Sequence, residues 1–102
     1  MARFESVAKL GDVNDGELAM FEVAGNQVAI ANVGGSIYGF DDVCTHMGCS
    51  LAEGELNETI VTCRCHGSQF DVMTGGVRRG PAIDPVSTYT VRVQGDTIEV
   101  EV

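Results

Sequence analysis

All four cysteines and both histidines of this chain fall in two short segments, Cys44-Thr45-His46-Met47-Gly48-Cys49 and Cys63-Arg64-Cys65-His66-Gly67-Ser68. A Cys-x-His pair, sixteen intervening residues and a Cys-x-x-His pair suit one chemistry best: a 2Fe–2S cluster held by two thiolates and two imidazoles. The candidate ligands are Cys44, His46, Cys63 and His66. Thiolates donate charge that stabilises ferric iron, and neutral imidazoles donate less. The mixed set therefore moves the potential from about −400 mV into the range of roughly −150 to +300 mV. The imidazole-bound iron is expected to take the electron.

Four ligands leave Cys49 and Cys65 over. Their spacing places both beside the cluster, either as a disulfide or as two free buried thiols that pack as small hydrophobes. Donors near cluster sulfur raise the potential. The Ser68 hydroxyl is one candidate, its alternative being a turn residue bonded to its own backbone. Gly48, Gly67 and Gly80 permit close approach of main chain to the cluster.

Two other chemistries use similar residues. Zinc also accepts two Cys and two His, but zinc knuckles usually keep both cysteines together, and here each half is mixed. A thiol–disulfide enzyme built on Cys63-Arg64-Cys65 leaves the histidines unexplained. No nucleophile–base pair and no phosphate-cradling loop at a helix start is evident, so electron transfer is expected rather than catalysis.

These loops need a scaffold. At 102 residues the chain suits a single domain, 1–102. Thirteen glycines and many β-branched residues, with turn signals every eight to twelve positions, predict short antiparallel strands and an all-β fold. Strands are expected over Phe4–Val7, Glu17–Val23, Val28–Val33, Ser36–Asp41, Ile60–Thr62 and Gln69–Val72. Ala24-Gly25-Asn26-Gln27 should turn a hairpin, Thr74-Gly75-Gly76 should form a turn, and residues 8–16 a turn or a short helical turn. Thr88–Val93 alternates, with Tyr89, Val91 and Val93 on one face. Thr97–Val102 alternates too, with Ile98, Val100 and Val102 facing one way and Glu99 and Glu101 the other. Both chain ends thus form a basal β part, 1–42 and 83–102, around a loop-rich insertion at about 43–82.

Net charge is −9, from fifteen acidic and six basic residues. A phosphate backbone needs a basic surface, so nucleic acid is not an expected partner. Acidic charge steers a protein toward basic protein partners or simply keeps it soluble. Arg64, Arg78 and Arg79 lie in or beside the ligand segment, as a basic collar or as ordinary solvated side chains. The opening residues lack a secretory h-region, and no run of apolar residues is long enough to span a membrane. A soluble, cytoplasmic, monomeric protein is expected.

Cys44-Thr-His-Met-Gly-Cys49, Cys63-Arg-Cys-His-Gly-Ser68-Gln-Phe-Asp71, Thr74-Gly75 and Gly80-Pro81-Ala82 together resemble a Rieske iron–sulfur protein. The resemblance is specific over 44–82, and the flanking strands agree in pattern only. It implies three small antiparallel sheets, with a cluster-binding subdomain on a basal scaffold. It implies that Cys44 and Cys63 bind the inner iron, and His46 and His66 the outer one. It also implies a Cys49–Cys65 bridge and a shielding loop at Gly80-Pro81-Ala82. Length and the missing anchor resemble the Rieske ferredoxins that carry electrons from a reductase to a terminal oxygenase. The small Rieske subunit of a nitrite reductase or oxidase is the alternative. Many such ferredoxins lack the cysteine pair, and the respiratory type usually has Tyr where this chain has Phe70. A potential below the respiratory members, and at or above the ferredoxins, follows from that resemblance.

Overall fold

The computed structural model describes residues 3–45 and 48–102. Its strands are β1 (Phe4–Lys9), β2 (Leu18–Val23), β3 (Asn26–Val33), β4 (Ser36–Asp41), β5 (Glu55–Asn57), β6 (Ile60–Thr62), β7 (Gln69–Asp71), β8 (Val77–Arg79), β9 (Thr88–Tyr89), β10 (Val91–Gln94) and β11 (Thr97–Glu101). Short 3-10 turns occupy Leu10–Asp12 and Leu51–Glu53. The strands form three antiparallel sheets, in the orders β1-β11-β10, β2-β3-β4-β9 and β5-β6-β7-β8. This is the all-β, three-sheet architecture expected.

Strand β3 explains how the sheets assemble. Its run Val28-Ala29-Ile30-Ala31 is buried at every position. Successive side chains point to opposite faces, so both faces of β3 are covered. Val28 and Ile30 join Val23, Ile98 and Val100 in the basal core between the first two sheets. Ala29 and Ala31 face the other way, into a second core with Phe40, Leu51, Val61, Phe70, Cys44 and Cys63. Small alanines on that face let the β5–β8 sheet approach closely. Burying Phe40 and Phe70 contributes about 1.5–3 kcal/mol each.

The β2–β3 hairpin is tighter than the sequence suggests. Only Ala24 and Gly25 turn, at φ +50° and +82°, and β3 already begins at Asn26. Two residues with positive φ match the right-handed twist of the paired strands.

One strand expectation fails. The alternating stretch Thr88–Val93 is not a single strand: β9 pairs with β4, and β10 pairs with β11 in a different sheet. Tyr89 and Val91 both enter the basal core, so the chain crosses between the two packed sheets at Thr90. Val93, expected on one face with Tyr89 and Val91, is 42% exposed, because β10 is an edge strand. Strands β5 and β8 were not expected, since Glu55-Leu56-Asn57 and Val77-Arg78-Arg79 each carry a single apolar residue.

Candidate metal centre

Two loops of the same design carry the cysteines. In the first, the Cys44 N–H donates to the Cys49 carbonyl at 2.9 Å, and the Gly48 N–H donates back to the Cys44 carbonyl at 2.9 Å. In the second, the Cys63 N–H donates to the Ser68 carbonyl at 2.8 Å, and the Gly67 N–H to the Cys63 carbonyl at 3.1 Å. Gly48 and Gly67 have φ of +75° and +78°, a region L-residues disfavour. A Val43–Ser50 bridge closes the first loop, and the Thr62–Gln69 pair of β6 and β7 closes the second.

This design sorts the chemistry by depth. Cys44 and Cys63 are both 2% exposed. Their thiols meet side by side. Burial pushes the Cys63 thiol above its ordinary value, and the neighbouring Cys44 adds to that; the Cys65 and His66 backbone N–H groups, directed at its sulfur, pull the other way. Those amides favour the charged sulfur that a metal ligand must be. His66 lies exposed at the rim. His46 falls outside the described residues, as does Met47.

Cys49 and Cys65 form a disulfide that ties the two loops together. Its sulfurs lie within 4.8 Å of the Cys63 sulfur. Of the two alternatives the sequence left open, the structure thus contains the bridge. A bridged pair offers no thiolate, so the sulfur donors that remain are Cys44 and Cys63.

A third segment clasps both loops. The Ala82 N–H donates to Ser68 Oγ at 3.0 Å, and Thr45 Oγ1 donates to the Asp84 carbonyl at 2.7 Å. Ser68 is therefore bonded neither to its own backbone nor to a turn neighbour. Its oxygen accepts from the third loop, and its hydroxyl hydrogen can still donate. The Gly80–Pro81 peptide is cis. Gly80 has no positive φ, and an added Cβ would meet no protein atom nearer than the Ala82 carbonyl oxygen at 3.7 Å.

Sequence reasoning missed two positioning residues. Asp42 is 1% exposed; its Oδ1 accepts the Ala52 N–H at 2.8 Å and its carbonyl the Leu51 N–H at 2.7 Å, cinching the first loop at its base. Thr45 is the other. An acid two residues before Cys44 and a hydroxyl between Cys44 and His46 were the available signals.

The basic collar is mostly paired: Arg64 reaches Glu53 at 2.9 Å and Arg78 reaches Asp71 at 3.4 Å. Phe70 is fully buried and contributes packing.

The family model for the Rieske [2Fe-2S] domain matches residues 4–90. The chain belongs to the Rieske family. It is 34% identical over 95 residues to the ferredoxin component of biphenyl 2,3-dioxygenase from Rhodococcus jostii, covering 93% of this chain and 89% of that protein. It is 36% identical over 93 residues to the ferredoxin subunit of 3-phenylpropionate/cinnamic acid dioxygenase from Escherichia coli K12, covering 90% and 87%. The ferredoxin of carbazole 1,9a-dioxygenase from Nocardioides aromaticivorans IC177 superposes with a TM-score of 0.92 at 31% identity over 95% of each chain. A complex of reduced oxygenase and oxidized ferredoxin in carbazole 1,9a-dioxygenase contains a chain matched at a TM-score of 0.90 and 30% identity, covering 95% of this chain and 91% of that one.

The cofactor of this Rieske domain is a 2Fe–2S cluster. The buried thiol pair beneath an exposed imidazole fits it: soft sulfur lies inside, nitrogen at the surface. The protein is a Rieske-type electron carrier, related to the electron-transfer components of multicomponent dioxygenases rather than to their catalytic subunits. Among the described residues no helix is long and apolar enough to cross a membrane.

Proposed function

We propose that Cys44 and Cys63 hold the inner iron, that His46 and His66 hold the outer one, and that the chain passes single electrons from a reductase to a terminal oxygenase. When bound, the cluster supplies a reversible one-electron couple, tuned upward by its two imidazoles. The observation that carries this reading is the division of the four cysteines: two buried thiols side by side, and two joined in a bridge across the same loops. The chain's own contribution is to exclude water from the sulfur side through Phe70, Leu51 and Ala82. It leaves His66 at the surface, where an electron has the shortest path out. Ser68 and the backbone amides directed at Cys63 supply hydrogen bonds that favour the reduced state.

The ferredoxin–oxygenase complex of the carbazole system supports an oxygenase as acceptor. The small-subunit alternative rests on less. The small subunit of a putative nitrite reductase from Mycobacterium tuberculosis shares 18% identity, a likeness of fold alone. A monomeric carrier in the cytoplasm, reached by diffusion, completes the reading. The test is anaerobic reduction of the holoprotein, followed by mixing with a ring-hydroxylating terminal oxygenase. One iron–sulfur centre with two irons and two acid-labile sulfides per chain is expected, with electron transfer to the oxygenase. Zinc in its place would defeat the ligand assignment.

A further inference from the structure

The protein carries six basic residues against fifteen acidic ones. Five of the six are engaged in ion pairs: Arg3 with Glu5, Lys9 with Asp96, Arg64 with Glu53, Arg78 with Asp71 and Arg92 with Glu99. Arg79 alone has no ion pair among the described residues, and it is exposed. It sits at the end of β8, opposite Gln69, directly before the loop that clasps both cysteine loops.

That loop carries the other anomaly. Ile83 is 87% exposed, the most exposed large apolar side chain described. Its neighbours explain why it stays out. Ala82 is held by Ser68 on one side, and Asp84 by Thr45 on the other, so Ile83 is pinned between two tethers and cannot fold inward. Val43, next to Cys44, is 38% exposed at the base of the first cysteine loop. Water solvates the Arg79 cation but disfavours the pinned Ile83 side chain; a partner surface with an apolar socket beside a carboxylate would bury Ile83 and pair Arg79, which no acidic residue does among the described ones.

We infer that Arg79 and Ile83 form a two-point docking site for a redox partner, which presents a carboxylate to Arg79 beside an apolar socket for Ile83. This rests on the electron-carrier reading and adds the chemistry of the partner's surface. Elsewhere the acidic surface favours a basic rim on the partner. At this point the sign is reversed, and the reversal fixes the register of docking. An uncompensated carboxylate there lets the correct orientation be told from a merely attracted one.

Two small oxidants stand in for the two features. The monoanion [Co(EDTA)]⁻ bears carboxylates and reads Arg79. Tris(phenanthroline)cobalt(III) bears flat apolar ligands and reads Ile83. In each case one electron leaves the reduced protein and cobalt(III) becomes cobalt(II). In stopped-flow oxidation, Arg79→Gln should slow [Co(EDTA)]⁻ about threefold, the effect of losing one opposite charge at ~6 Å in water. It should not slow the phenanthroline complex. Ile83→Ser should slow the phenanthroline complex and leave [Co(EDTA)]⁻ within twofold. Arg92→Gln, in the basal sheet, should alter neither. A second readout does not depend on electron transfer: redox-inert, paramagnetic hexacyanochromate(III) should broaden the Arg79 Nε–H NMR signal before those of the other arginines. An Arg79→Gln variant with wild-type [Co(EDTA)]⁻ kinetics, or equal broadening of all arginines, overturns the docking site. A preparation that takes up no electron instead overturns the carrier reading beneath it.

Discussion

Gly48 and Gly67 occupy equivalent places in two loops that meet at the metal centre. Each donates its N–H to the carbonyl of the cysteine four residues before it, at 2.9 and 3.1 Å, with φ of +75° and +78°. One backbone device is thus used twice, and it brings the buried cysteines face to face. The strength of this arrangement can be measured residue by residue.

The glycines should separate into two classes. An added Cβ at Gly48 or Gly67 meets nothing within 4 Å, so alanine there costs only backbone strain, about 1–2 kcal/mol. At Gly75, with φ +80°, the Cβ would also collide with the Val86 carbonyl, and at Gly54 with the Thr62 carbonyl. Gly75→Ala and Gly54→Ala should therefore lower the urea midpoint far more than Gly48→Ala. Equal losses across all four would contradict the geometry.

The bridge should matter to folding. Cys49 and Cys65 are 16 residues apart, and closing a loop of that size stabilises by about 3 kcal/mol in the chain-entropy account. The Cys49→Ser/Cys65→Ser double variant should lose roughly that amount in urea unfolding, and its visible absorption should bleach faster in chelator. It should still load iron, because neither residue is assigned as a ligand.

Ser68→Ala should act through the third loop. It leaves the buried Ala82 N–H without its acceptor, a cost of about 1–3 kcal/mol. Amide hydrogen exchange at Ala82 should accelerate, and the potential should fall. Ser68→Thr, which keeps the oxygen, should restore slow exchange.

His66→Cys should replace a weaker donor by a thiolate. The potential is expected to drop toward the all-cysteine range near −400 mV. Protein-film voltammetry checks it, and an unchanged potential would remove His66 from the ligand set.

Tyr89 gives a pH signature in the basal core. Burial, and after it the charge of Asp41, hold its phenol above the ordinary value. The unfolded chain then loses this proton first. Stability from Tyr89 is intact below pH ~10 and is lost as pH rises through the higher folded value. Tyr89→Phe should flatten that alkaline decline when unfolding midpoints are compared across pH.

Much of this was legible in the residues themselves. The 2Fe–2S chemistry follows from having soft donors in only two segments, and the all-β class from short alternating runs between glycine turns. Local chemistry suffices for both, because ligand type and strand period are properties of neighbouring residues. What the chain order alone left open was pairing across distance. Whether Cys49 and Cys65 are joined, whether Ser68 serves its own loop or another, which arginines are already neutralised, and why Ile83 stands in solvent all depend on segments separated by many residues. The split of Thr88–Val93 between two sheets belongs with them: its alternation is real, but only packing decides that Tyr89 and Val91 serve one core from different sheets. Contacts of that kind exist only once the loops have been brought together, so the tertiary structure decided them.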